Sequence, residues 1–305
     1  MPRPVDSGID GPAPEWMERP ERSNTLALRT IVWVAMVLGR PVARLLLYPI
    51  CLYFLLFSPR ARTASSQYLT RALGRKAGVA DSFRHYHTFA ATNLDRFFLL
   101  NNQFSRFDVR VHGAEIIDEM AADGKGCVTL GAHIGSFEII RSVGRARGMK
   151  ISIVMYEENS RKIGAMLEAI NRDLQMEIIP LGRVDSILMV EAALACGEIV
   201  GMLADRNLKG KGTVSCNFLG QQAQFPTGPI RIAAALQRPI ALMFGLYRGG
   251  NRYDIHFERF EVLRVAAGPG RDAMIEQAMQ RYAGRLEHYC RLAPYNWFNF
   301  YDFWR

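Results

Sequence analysis

The chain has 305 residues, 49% of them hydrophobic and 22% charged, which suits one large or two small globular domains with a sizeable core. Lys plus Arg outnumber Asp plus Glu by 38 to 29, a balance that favours an anionic partner such as a phospholipid surface or an acidic protein. No Lys/Arg block or nucleic-acid motif stands out, which excludes nucleic acid as an expected partner, and the five widely spaced cysteines fit neither a disulfide framework nor a zinc site.

Residues 1–24 are rich in Pro, Gly, Arg and Glu and are expected to be disordered. Residues 25–60 form a hydrophobic anchor segment with two apolar runs, Ile31–Leu38 and Leu45–Phe57, interrupted by Arg40, Pro41 and Arg44. Neither run reaches the roughly 20 residues that a spanning helix needs. Three readings stay open: an interfacial anchor or membrane hairpin whose Arg40 and Arg44 snorkel to phosphates, a tilted span, or a buried helical pair. Trp33, Tyr48 and Tyr53 favour membrane association, and Arg60, Arg62 and Arg71 suit anionic lipid on the cytoplasmic face.

Helical spacing then predicts a helix over Ser82–Leu100, a strand over Phe107–Val111 and a short helix over Ala114–Ala122. His85 and His87, two apart on that first helix, read as structural. The apolar run Cys127–Leu130 is a strand, and Phe137–Arg147 is the helix that follows it. Strands are expected at Ile151–Met155, Glu177–Pro180, Ile199–Ala204, Pro239–Phe244 and Arg252–Phe260, the last at the sheet edge. Helices are expected at Arg161–Leu174, Ser186–Ala195, Pro229–Gln237 and Ala273–Cys290, and residues 209–229 read as largely looped. Strands alternating with helices point to an α/β sheet covered on both faces. The tail from Pro294 to Arg305, with seven aromatics in its last eleven residues, is expected to pack the core; a lining for an acyl groove or a membrane belt is the second reading.

His133 falls at a strand-to-helix turn among small residues, with Glu138 five positions later in the first turn of the helix. A carboxylate that fixes the tautomer of a histidine, which then takes a proton from a hydroxyl, is the base-and-orienter half of a triad. A capping histidine and a helix-dipole glutamate are the bland alternative. Ser136 lacks the second glycine of a nucleophile elbow and reads as a helix cap. In an open α/β sheet, ligands bind beyond the carboxyl ends of the strands, which groups His133 with Asp205-Arg206 and the Phe225–Gly228 loop. Arg161 is a further candidate for phosphate.

The segment Gly131-Ala132-His133-Ile134-Gly135-Ser136-Phe137-Glu138 resembles the H-x(4)-D/E box of the glycerolipid acyltransferase superfamily. It is closest to the late lipid A acyltransferases and the bacterial lysophospholipid-acyltransferase-like proteins. Leu203-Ala204-Asp205-Arg206, Phe218-Leu219-Gly220, Phe225-Pro226-Thr227-Gly228-Pro229, the aromatic tail and the N-terminal anchor resemble the same branch, from about Trp16 to Trp304. The resemblance implies an α/β sandwich of that superfamily with an N-terminal hydrophobic helical membrane anchor, residues 61–305 forming the catalytic domain. It implies transfer of a fatty acyl group from an acyl thioester, usually on acyl-carrier protein with acyl-CoA as the other donor, to a hydroxyl of a membrane lipid or glycolipid. His133 would be the general base and Glu138 its orienting group, without an acyl-enzyme, a cofactor or a metal. Asp205, Arg206, Arg161, Phe225, Thr227 and Gly228 would contact substrate, at the cytoplasmic face of a bacterial inner membrane. The block Phe225–Pro229 lacks the Glu and Arg of the F-P-E-G-T-R text found in the glycerol-phosphate branch, which argues against glycerol-3-phosphate as acceptor. A non-catalytic lipid-binding adaptor of the same fold and a thioester hydrolase are the alternatives.

Overall fold

The computed structural model describes residues 33–35, 37–156, 178–181, 185–206, 212–260 and 270–304. Its centre is a seven-stranded sheet in the spatial order β1 (Asp108–His112), β9 (Arg252–Phe260), β8 (Ile240–Gly249), β2 (Cys127–Gly131), β5 (Ile199–Leu203), β3 (Ile151–Tyr156) and β4 (Ile178–Leu181). Strands β8, β2, β5, β3 and β4 run parallel, the β8–β9 hairpin reverses direction, and β1 follows β9 in parallel. β2 is buried at every position because helices cover both faces, which is why its text is a continuous apolar run rather than an alternating one. β9, expected at the edge, is flanked by β1, and β1 takes the edge instead.

One face of the sheet is covered by α1 (Gly39–Phe57), α3 (Val79–Leu100) and α5 (Phe137–Ala146). The other carries α2 (Pro59–Leu73), α6 (Ser186–Ala195), α7 (Gly228–Leu236) and α8 (Arg271–Leu292), and a short helix, α4 (Ala114–Ala122), packs under β9. β8 shows the division: Leu242, Phe244 and Leu246 point into the α7/α8 layer, while Met243 and Tyr247 join the α1/α3 layer.

The stretch expected to be looped holds a separate hairpin, β6 (Thr213–Phe218) and β7 (Gln221–Pro226), paired antiparallel. Its two-residue turn is Leu219-Gly220, both at positive φ (51° and 81°), as a turn that matches strand twist requires. Leucine there gives none of the Asn-Gly text that announces such turns. The helix expected over Arg161–Leu174, the segment 1–24 and Lys209–Lys211 lie outside the described residues.

α1 has two apolar faces. Ala43, Leu47, Cys51 and Leu55, spaced four apart, are buried against the body of the protein, while Leu45, Tyr48, Leu52, Tyr53, Leu56 and Phe57 are exposed. Its arginines do not reach outward as the snorkelling reading expects. Arg40 makes a bidentate pair with Asp95 of α3 (2.7 and 2.8 Å), and Tyr253 of β9 donates its hydroxyl to the same carboxylate at 2.8 Å. Arg44 donates to the Tyr247 hydroxyl (2.5 Å) and to Gly250 O (2.8 Å). Asp95 is fully buried, and a buried carboxylate persists only when it is paired and hydrogen-bonded, so the arginines serve as clamps.

Candidate active site

Residues 132–136 connect β2 to α5, and backbone hydrogen bonds hold them on all sides. The Tyr282 hydroxyl and the Ala204 N–H donate to Gly131 O at 2.6 and 3.0 Å. The Phe298 N–H donates to His133 O (2.9 Å), the Gly135 N–H to Asn296 O (2.8 Å) and the Ser136 N–H to Gly245 O (2.8 Å). The turn presses so closely on β8 that a Cβ at Gly135, which has φ +62°, would lie 1.8 Å from Gly245 O. The Ser136 hydroxyl accepts from the Ile139 N–H at 3.4 Å, so it caps α5 as the sequence indicates.

β2 and β5 are neighbours with Gly131 opposite Leu203, and two residues past that pair His133 meets Asp205. His133 Nδ1 lies 2.8 Å from Asp205 Oδ1, and the His133 N–H donates to Oδ2 at 3.0 Å. Trp297 Nε1 donates to the same Oδ2 at 2.9 Å. An ionised carboxylate only accepts, so the Nδ1 proton sits in this bond and Nε2 is the basic nitrogen. Among the described residues Nε2 has no partner, and 35% of the His133 side chain is open to the cleft it lines. Burial and the Arg206 charge hold the imidazole below its usual pKa, against the opposing pull of Asp205. Burial alone would raise the Asp205 carboxyl; the contacts to His133, the Arg206 charge and the Trp297 N–H bring it below the ordinary carboxylate value. At neutral pH the pair is therefore a neutral histidine beside a charged carboxylate.

Glu138, the partner expected for His133, is turned elsewhere. It leaves the first turn of α5 toward α3, where Arg96 Nε reaches its carboxylate at 2.6 Å, while Asp205 fills the position behind Nδ1. Arg206, expected as the companion of Asp205, donates to Phe298 O (2.8 Å) and lies 5.7 Å from the Tyr301 ring centre. Phe225 is fully buried in edge-to-face contact with Phe218 and Phe303. The Thr227 hydroxyl donates to Gly212 O (2.9 Å) and accepts from Arg231 Nε (3.1 Å), and Gly228 begins α7. These three residues build framework and do not line the His133 cleft. Arg161 lies outside the described residues.

The cleft over His133 has a volume of about 280 Å³. Ile153, Met155 and Leu203 give it an apolar floor, Phe89 and Phe298 apolar walls, and Arg96 and Arg206 two cations. Apolar lining with a few convergent polar groups suits an amphiphile. Trp297, Phe298 and Arg96 were not among the site residues expected; the density of aromatics in the tail was the one signal for the first two, and nothing in the sequence marked Arg96. Away from the cleft, ligand atoms of His112, Asp254 and His256 lie within 4.8 Å of one another, but Arg248 Nε already engages Asp254 at 3.2 Å, which disfavours a dication there.

A model of the bacterial lipid A biosynthesis acyltransferases matches residues 28–305. The chain belongs to that family. It is thus an acyltransferase of lipid biosynthesis, with the His133 box inside the matched region. No curated protein matches it in sequence. Among solved structures it is similar to the 1-acyl-sn-glycerophosphate (LPA) acyltransferase PlsC from Thermotoga maritima, at 14% identity and a TM-score of 0.37, over 80% of this chain and 97% of that one.

Proposed function

We propose that this acyltransferase moves a fatty acyl group from an acyl thioester to a hydroxyl of a membrane lipid or glycolipid, with His133 as general base and Asp205 as the residue that orients it. The observation that carries this reading is the 2.8 Å bond from His133 Nδ1 to a fully buried carboxylate, with Nε2 left open to an amphiphile-sized cleft. Nε2 takes the proton of the acceptor hydroxyl as its oxygen attacks the thioester carbonyl. The tetrahedral oxyanion collapses, the C–S bond breaks, and the leaving thiolate takes the proton from the imidazolium. An ester and a free thiol result, and Asp205 stays ionised throughout while stabilising the transient imidazolium. Arg206 supplies positive charge beside the reacting carbonyl. Glu138 acts through Arg96, holding that guanidinium in the cleft for an anionic part of the acceptor.

The basic balance of the chain suits an anionic donor, acyl-carrier protein or acyl-CoA. The acceptor is a lipid rather than glycerol-3-phosphate, in keeping with a Phe225–Pro229 block that offers framework rather than charge. α1 is a helix that lies in the membrane surface at the cytoplasmic face of the inner membrane. Its 19 residues could span a bilayer by length. The helix packed along its buried stripe, α3, carries Arg84, His87, Asp95 and Arg96, which cannot accompany it into hydrocarbon. The exposed stripe from Leu45 to Phe57 is left to face lipid.

Purified protein, an acyl-carrier thioester and a lipid extract test the reading: free thiol should appear together with an acylated lipid seen by mass spectrometry. His133→Ala should lose about 10²–10⁴-fold in rate. Full transfer by that variant rejects the base. Fatty-acid release without ester makes the protein a hydrolase, and lipid binding without turnover makes it an adaptor.

A further inference from the structure

A second cavity, of about 590 Å³, does not contain His133. It opens where the β8–β9 turn meets α1 and α3, and the segment Asn296–Phe298 separates it from the catalytic cleft: Asn296 lines the first and Phe298 the second. Five arginines line it, Arg44, Arg84, Arg110, Arg248 and Arg252, against two carboxylates, Asp108 and Asp254. Arg248 is committed to Asp254, and Arg44 is fixed by the Tyr247 hydroxyl and Gly250 O. Arg84 lies over the Tyr295 ring, 4.5 Å from its centre. Arg110 and Arg252 are exposed and, among the described residues, their side chains make no hydrogen bond or ion pair, although each sits opposite a carboxylate in the register of β1 and β9. On the same wall, the buried Nε2 of His87 has no partner.

We infer that this cleft is a second, non-catalytic site that binds the phosphate of an anionic phospholipid headgroup. Guanidinium forks match phosphate oxygens, and the excess of arginines over carboxylates gives the cleft the opposite charge. Its volume suits a headgroup with its glycerol. The position on α1 selects a lipid as the source: Arg44 lies one turn before the exposed Tyr48 and next to the exposed Leu45, so a phosphate held here leaves its acyl chains beside the apolar stripe of α1. The site would hold the enzyme on an anionic surface with the His133 cleft at a fixed height. The inference rests on the proposed membrane acyltransferase reading for its setting, but not on turnover.

The test is partition of the full-length protein between buffer and vesicles of phosphatidylcholine, with or without phosphatidylglycerol. The wild type should prefer the phosphatidylglycerol vesicles, and Arg110→Gln with Arg252→Gln should lose about tenfold of that preference while binding pure phosphatidylcholine as before. Arg145→Gln with Arg259→Gln, an equal charge change on other exposed positions, should keep it. Equal losses in both double variants overturn the site in favour of a diffuse basic surface. Soluble glycerophosphate that raises Tm of the wild type but not of R110Q/R252Q, with vesicle partition equal in the two, would make the ligand a free phosphorylated molecule and overturn the lipid. Loss of affinity for acyl-carrier protein rather than for vesicles would overturn it as well. His133→Ala should partition as the wild type does, so a failure of the catalytic reading leaves this result readable by itself.

Discussion

His133 Nδ1 and Asp205 Oδ1 lie 2.8 Å apart although 72 residues separate them in the chain, and the carboxylate is held from its other oxygen by the indole of Trp297. The imidazole and the carboxylate behind it thus come from two adjacent parallel strands, each followed two residues beyond the last paired position.

The first prediction concerns pH. With imidazole as the base, kcat/KM should rise with pH through a group below the ordinary histidine value. Arg206 lowers the His133 pKa and Asp205 raises it, so the two substitutions act in opposite directions. Arg206→Gln should move the acidic limb of the profile to higher pH, and Asp205→Asn should move it lower. Profiles for the three proteins check the signs; a limb that stays fixed in both variants assigns the base elsewhere.

Asp205→Asn and Glu138→Gln should also fail differently. Asparagine cannot stabilise the imidazolium, so kcat should fall by about 10²–10⁴-fold, as for other histidine bases deprived of their carboxylate. Glu138→Gln frees Arg96 from its 2.6 Å pair and should act mainly on KM for the lipid acceptor, leaving the acidic limb in place. Steady-state kinetics with varied acceptor would separate the two. A shifted limb in Glu138→Gln alone would return the orienting role to Glu138.

Arg40 is expected to matter for stability rather than chemistry. Arg40→Gln leaves the fully buried Asp95 with only the Tyr253 hydroxyl among its side-chain partners and should destabilise by about 3–5 kcal/mol. Replacing both partners, Arg40→Met with Asp95→Leu, should be milder than the single change. Denaturant unfolding of the three proteins gives the comparison.

Acid should loosen the α3 layer through His85. It is fully buried between the Ser65 hydroxyl (2.8 Å) and Trp297 O (2.9 Å), and burial pushes its pKa down to about 4. A depressed folded-state value means that stability is intact above the unfolded histidine value and is lost as pH falls toward about 4. The loss is on the order of 3 kcal/mol. Urea unfolding across that window, compared with His85→Gln, should show the wild type with the steeper decline.

Gly135→Ala places a Cβ against Gly245 O at 1.8 Å, on a residue at φ +62°. Neither strand can move away cheaply, because Ser136 N–H is bonded to that same carbonyl. Loss of soluble folded protein is expected, and an active, folded variant would show the turn to be softer than its contacts imply.

Local features of the site were legible because they depend on near neighbours. The turn at His133, the cap at Ser136 and the apolar text of β2 each follow from a few adjacent residues. The carboxylate that meets His133 was not legible, since Glu138 is close in sequence while Asp205 is close only through the β2–β5 pairing. The hairpin of β6 and β7 is not legible in the sequence because its turn is Leu219-Gly220 and β7 begins with two glutamines. The edge position expected of β9 failed because β1, a five-residue strand far upstream, pairs with it. Arg40 and Arg44 read as lipid-seeking charges; only the distant Asp95, Tyr247 and Gly250 reveal them as internal clamps.

The segment from Asn296 to Phe298 reaches the site from late in the sequence. It delivers the indole to Asp205, an N–H to His133 O and a carbonyl to Gly135. A chain shortened before Asn296 lacks all three contacts. Shortening the tail would therefore act on the His133 turn itself and not only on the surface.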